Sequence, residues 1–104
     1  YRAVTTSYRG YPGSSVPKNA DAYSHDILIE DIRGLLDALD IEKVHLCGCS
    51  VGANASIAFS VKYPERCLSV TAVGVGHGSV RGKEREEFLE AFASRAQALL
   101  DGGM

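Results

Sequence analysis

Ser50 stands between two glycines in the run Gly48-Cys49-Ser50-Val51-Gly52, which reads G-x-S-x-G. A serine hydroxyl is a weak nucleophile until its surroundings expose and activate it. Flanking glycines permit a turn too tight for side chains, which pushes the central hydroxyl outward. The chemistry open to such a serine is attack on a carbonyl carbon and formation of an acyl-enzyme. Val51 is then the residue whose backbone N–H faces the developing oxyanion. The competing structural role for Ser50 is that of an ordinary helix N-cap. Cys49 is the other nucleophile type in the run. A turn of this kind aims its central residue outward and not its neighbour, so Cys49 is read as a small side chain beside the pocket.

Such a serine needs a strand before it and a helix after it, and both are legible. Val44 to Cys49 forms a short apolar strand, and Val51 to Tyr63 a helix that Pro64 closes. Small residues at Ala53, Ala55, Ser56 and Ala58 let that helix approach a sheet closely. The turn therefore lies at a helix N-terminus, where free N–H groups and the positive dipole end favour a developing negative charge. Upstream, Arg2 to Thr6 reads as a strand and Ser7 to Asp21 as a long Gly/Pro/Ser-rich loop. Tyr23 to Leu39 is a helix capped by Ser24. Its apolar positions are Leu28, Ile32, Leu35, Leu36 and Leu39, with Glu30, Asp31, Arg33 and Asp37 facing away. Asp40 follows the last apolar position, where glycine would end the helix more comfortably. Leu68 to Val75 reads as a buried parallel strand, Gly74 to Gly82 as a glycine-rich connection, and Lys83 to Leu100 as an amphipathic helix carrying Phe88, Phe92, Ala96 and Leu99 on one face. Strands alternating with helices predict an α/β protein with a parallel sheet and right-handed crossovers.

The whole chain resembles the α/β-hydrolase superfamily. The strand–elbow–helix run carries the resemblance. Arg9-Gly10-Tyr11-Pro12-Gly13-Ser14 supports it, as does Tyr63-Pro64-Glu65-Arg66 before the next strand. Ser7 stands where members usually carry Asp, and Pro12 where they usually carry Gly. The resemblance implies a partial parallel sheet with flanking helices: residues 1–76 as part of the core and 77–104 as the start of a helical cap. It implies a serine hydrolase acting on a small ester, lactone or related carbonyl compound, with no cofactor. Ser50 is the implied nucleophile, Val51 the oxyanion donor, and Gly48 and Gly52 the elbow glycines. The serine speaks against the epoxide-hydrolase and haloalkane-dehalogenase branches, which use Asp. The catalytic acid and histidine follow the nucleophile in this family, and the resemblance places them beyond Met104. It also places one family strand between Arg2–Thr6 and Val44–Cys49, so the chain reads as a middle slice whose open sheet edges pair with other chains.

Other constellations are weaker. His77 follows the last strand, on the side of the sheet where Ser50 lies, and reads as a pocket residue that would serve as a base only in a rearranged site. His45, Cys47 and Cys49 alternate on one strand face, a soft-ligand set for zinc. Neighbours on such a face lie about 7 Å apart, too far for one ion without a bend, so no metal is expected. Gly74-Val75-Gly76-His77-Gly78 is not a dinucleotide fingerprint. Tyr8 and Tyr11 read equally as loop packing or pocket walls. The chain has 104 residues, a formal charge of -2 and no basic run, which argues against nucleic acid as a partner. No apolar stretch approaches the ~20 residues of a membrane span. Three cysteines fit reduced thiols and a cytoplasmic location. Two rival classes remain: an inactive fragment or interaction module that keeps the fold pattern, and a flavodoxin-like or Rossmann-type binding domain.

Overall fold

The computed structural model describes residues 1–76 and 81–102. Two strands form its sheet: β1 (Val44–Cys49) and β2 (Cys67–Val73), paired in parallel. Helix α1 (His25–Ala38) precedes them, α2 (Val51–Lys62) crosses between them, and α3 (Lys83–Gly102) follows. This is the expected α/β class, with a partial parallel sheet. The expected boundary between core and cap falls at His77, outside the described residues.

Helix α1 starts where its cap chemistry dictates. Ser24 adopts extended angles, and its Oγ accepts from the Ile27 N–H at 3.1 Å. The helix ends in a left-handed turn: Asp40 takes φ 54, and the Ile41 N–H donates to the Leu36 carbonyl at 2.9 Å. Asp tolerates this conformation better than most side chains. One helix face is buried, but by Ile29 and Leu36 rather than by all the predicted positions. Both pack with Phe59 of α2, supported by Ile32, Ile41, Val44, Leu46 and Tyr63. Ile29 escaped the predicted stripe, and Leu28 is half-buried outside this core.

Helix α2 is buried through its small residues. Ala53, Ala55 and Phe59 are fully enclosed. Small side chains let the helix lie close to both strands, and Phe59 fills the gap to α1. Charged side chains lock the two helices at their far ends. Glu30 accepts from Lys62 Nζ at 2.8 Å, Tyr63 OH at 2.5 Å and Arg33 Nε at 2.7 Å. These donors hold its carboxyl down to about 2, the Lys62 bond contributing most. Arg66 reaches the carbonyls of Glu42 and Ile41 and pairs with Asp37 at 2.8 Å. It thereby ties the approach to β2 onto the turn between α1 and β1.

Two expectations need correction. Arg2–Thr6 forms no strand; it runs unpaired and exposed. A strand needs a ladder partner, and among the described residues β1 pairs only with β2. The strands are also less buried than their composition suggests. Along β1, His45, Cys47 and Cys49 are exposed while Val44, Leu46 and Gly48 are half-buried. Helix α2 covers one sheet face only, and among the described residues nothing covers the other. Helix α3 buries none of its residues, although Phe88 and Phe92 stack at 4.7 Å between ring centroids.

Candidate active site

Ser50 lies between the end of β1 and the start of α2, at φ 54 and ψ −116. A non-glycine residue is strained in this region. The surroundings hold it there. Its N–H donates to the Val73 carbonyl at 2.9 Å, which ties the turn to the end of β2. Its carbonyl accepts the first helical bond, from the Asn54 N–H at 3.1 Å. Asn54 Nδ2 in turn donates to the Val75 carbonyl at 3.1 Å. The turn is thus fastened to the end of β2, and the first turn of α2 to the segment just after it.

The side chain of Ser50 makes no capping bond to α2. The contrast with Ser24 is internal to the chain. Ser24 has extended angles and caps its helix; Ser50 occupies the same position on the next helix, has a positive φ, and does not. The N-cap role therefore does not account for Ser50.

The two glycines have different reasons. A Cβ on Gly48 would collide with the Gly52 carbonyl and lie 2.7 Å from the Ala53 nitrogen. These are backbone atoms that cannot step aside. A Cβ on Gly52 would lie 3.2 Å from the Tyr8 hydroxyl, the movable end of a side chain. Gly48 is thus required by the close approach of strand and helix, while Gly52 admits the Tyr8 phenol close to the helix start. The Gly52 carbonyl also accepts from the buried Ser56 Oγ at 2.7 Å.

Val51 is exposed at the first position of α2. With Tyr8, Arg9, Tyr11, Tyr23, Ser24 and Leu28 it walls a cavity of about 390 Å3. Tyr8 and Tyr11 are thus pocket walls, a point the sequence left open. Burial holds the Tyr8 phenol above its ordinary value, so it stays protonated. Arg9 stands in this wall with three of its five N–H groups engaged: Nε and one terminal nitrogen clasp Asp31, each at 2.6 Å, and the other donates to the Ala22 carbonyl at 2.8 Å. This clasp pins the loop to α1. A second, more polar cavity of about 320 Å3 lies under the loop between Thr6, Ser14 and Asp31.

The described histidines, His25 and His45, do not assemble around Ser50. His45 Nδ1 lies 2.8 Å from Ser69 Oγ on the uncovered sheet face. His25 opens α1 and is exposed. His77 lies outside the described residues. Cys49 is exposed, not tucked into a buried strand, because its sheet face is uncovered. Among the described residues no group of three or more His, Cys, Asp or Glu is placed to hold a metal ion. No helix among them is long and apolar enough to cross a membrane. Asn54 was missed by the sequence reading; its position four residues after the serine, on the helix face toward β2, was the available signal.

A positive-φ serine between a parallel strand and a helix is the local geometry of the strand-to-helix elbow in the α/β-hydrolase fold. A profile of the alpha/beta hydrolase fold matches residues 1–100, and the chain belongs to that family. It is 35% identical over 78 residues to a 2-hydroxy-6-oxononadienedioate/2-hydroxy-6-oxononatrienedioate hydrolase of Paraburkholderia xenovorans, a stretch covering 75% of this chain and 27% of that protein. A hydrolase of the same name from Escherichia coli K12 is 34% identical over 80 residues, 77% of this chain and 27% of its own length. The chain thus spans about a quarter of the length of the curated relatives it matches.

Proposed function

We propose that this chain supplies the nucleophile of a serine hydrolase acting on a small carbonyl substrate. The observation that carries the reading is Ser50 at φ 54 and ψ −116, clear of any capping bond, between β1 and α2. Ser50 Oγ attacks the carbonyl carbon while its proton passes to a general base of the whole protein, and the C=O π electron pair moves onto oxygen. The Val51 N–H, at the helix N-terminus, stabilises that oxyanion. Collapse of the intermediate re-forms the C=O bond and expels the leaving group, which takes up the proton held by the base, and water then cleaves the acyl-enzyme. The related hydrolases are named for oxo-dienedioates, which contain a ketone and no ester. The carbonyl attacked is therefore a ketone or an ester, and both are tested.

The test compares the protein encoded by the uninterrupted reading frame around these residues with its Ser50→Ala variant. Substrates are 2-hydroxy-6-oxononadienedioate and p-nitrophenyl esters. Ser50→Ala is expected to lower kcat by about 10³-fold or more. Equal activity in both proteins removes Ser50 as nucleophile. The 104-residue chain alone is expected to give negligible turnover, because neither described histidine is bonded to Ser50. Saturable ester hydrolysis by that chain, abolished in Ser50→Ala, would show that a base reaches the serine within it.

A further inference from the structure

We infer that the cavity walled by Tyr8, Tyr11, Tyr23, Leu28 and Val51 receives the apolar group attached to the reacting carbonyl, and that Leu28 sets the size of group accepted. This rests on the reading of Ser50 as nucleophile and names the substrate class for that site. Three observations carry it. The first is covalent adjacency: Val51 gives its side chain to the cavity wall and is the residue directly after Ser50. A carbonyl held at the Val51 N–H therefore has one substituent beside this cavity. The second is size. About 390 Å3 lies at the lower end of the ~300–1,000 Å3 of small-molecule pockets, room for a short alkyl chain or one ring.

The third is chemistry. Three aromatic rings and two aliphatic side chains line the space, and the one cation among its described lining residues, Arg9, is neutralised by Asp31 and also donates to the Ala22 carbonyl. An anionic group meets a guanidinium whose charge Asp31 already balances, whereas an apolar group finds ring faces. The walls are also held in place. Tyr23 OH donates to the Pro17 carbonyl at 2.7 Å, and its ring leaves no room for a side chain at Gly10. Leu28 stands on α1, a regular helix fixed by its cap and by the Ile29–Leu36–Phe59 core. It is half-buried and outside that core, so its size is free to be set by the cavity.

Two measurements test this. In the first, ¹⁹F line widths of 4-fluorotoluene are followed as the full reading-frame protein is added. Saturable broadening is expected with that protein and with Ser50→Ala, and its loss with Leu28→Trp, which fills the space. Tyr11→Ala, at an exposed loop position, weakens binding without touching a core residue, and circular dichroism verifies the fold of each variant. Broadening that never saturates, or that survives unchanged in both wall variants, overturns the pocket. In the second, the full reading-frame protein is assayed on p-nitrophenyl acetate and hexanoate. Leu28→Trp is expected to lower the hexanoate-to-acetate ratio of kcat/KM at least tenfold, in line with the ~10–200-fold effect of one methylene in an apolar pocket. An unchanged ratio overturns the assignment. The arms separate the two readings: Ser50→Ala leaves the pocket occupied but ends turnover, while Leu28→Trp changes selectivity and leaves the nucleophile in place.

Discussion

At the scale of single residues, two positions of positive φ do different work. Asp40 and Ser50 share φ 54, but Asp40 ends a helix in a solvated turn while Ser50 sits against the end of β2. The strain at Ser50 is of order 1–3 kcal/mol, held in place by the Val73 and Asn54 bonds. Glycine releases that strain, at about 0.5–1 kcal/mol of its own entropic cost. Ser50→Gly is therefore expected to raise the urea midpoint, and Ser50→Ala to leave it nearly unchanged, since alanine keeps the Cβ. Equal midpoints for the two would show that the serine backbone is relaxed. Gly48→Ala is expected to cost several kcal/mol or to prevent folding, beyond the ~1–3 kcal/mol of ordinary overpacking, because its Cβ meets backbone of α2. Gly52→Ala, which meets only a phenol, is expected to cost under about 1.5 kcal/mol. The motif was legible in sequence because its glycines are needed by local geometry. The reason differs at each glycine, and that was not legible, since the atoms each would strike belong to different elements.

At the scale of elements, helices were easier to read than the contacts between them. The Ser24 cap, the Asp40 turn and the Pro64 stop are local signals, and each stands within a few residues of its predicted place. The charges on α1 were read as facing away from the core, which is right for burial but incomplete. Glu30 meets Lys62 and Tyr63, Asp31 meets Arg9, and Asp37 meets Arg66, partners 22 to 33 residues distant. No periodicity in α1 reports a partner on another element. The consequence is a pH dependence with a definite sign. The Glu30 carboxyl is lowered from 4.5 to about 2 by donors that exist only in the folded state. Its contribution to stability is complete above pH 4.5 and is lost as pH falls from there toward 2. The urea midpoint is expected to decline across that interval. Glu30→Gln is expected to begin lower at neutral pH and to decline less, so that the two curves approach each other near pH 2. Parallel curves would mean that the α1–α2 clamp does not titrate through Glu30.

At the scale of the whole molecule, surface outweighs core. A compact monomer of 11.1 kDa exposes about 5,700 Å2 by the usual size scaling, whereas this chain exposes 7775 Å2. Its radius of gyration is 15.4 Å, against about 13 Å for a compact domain of its length. The excess comes from identifiable places. Arg2–Thr6 is outside the sheet, one sheet face is bare at His45, Cys47 and Cys49, and α3 has no fully buried residue. Val73 and Leu68 on β2 and Phe92, Leu99 and Leu100 on α3 are each more than half exposed. Sequence patterning foresaw buried strands because their composition is that of buried strands. It could not show that the covering elements are missing among the described residues. Both edges of a two-stranded sheet carry unpaired N–H and carbonyl groups, and such groups are adhesive when exposed beside apolar side chains. We therefore expect the 104-residue chain, expressed alone, to self-associate. Size-exclusion chromatography should give a mass above 11.1 kDa that rises with concentration. Urea titration should give a broad, shallow transition, because little surface is gained on unfolding. Lys placed at Val73 and Leu68 should shift elution toward the monomer without sharpening that transition, since charge blunts a sticky surface but adds no core. A monomer with one steep cooperative transition would mean that the small Ile29–Leu36–Phe59 core suffices, and that the exposed strand surface is tolerated as ordinary protein surface.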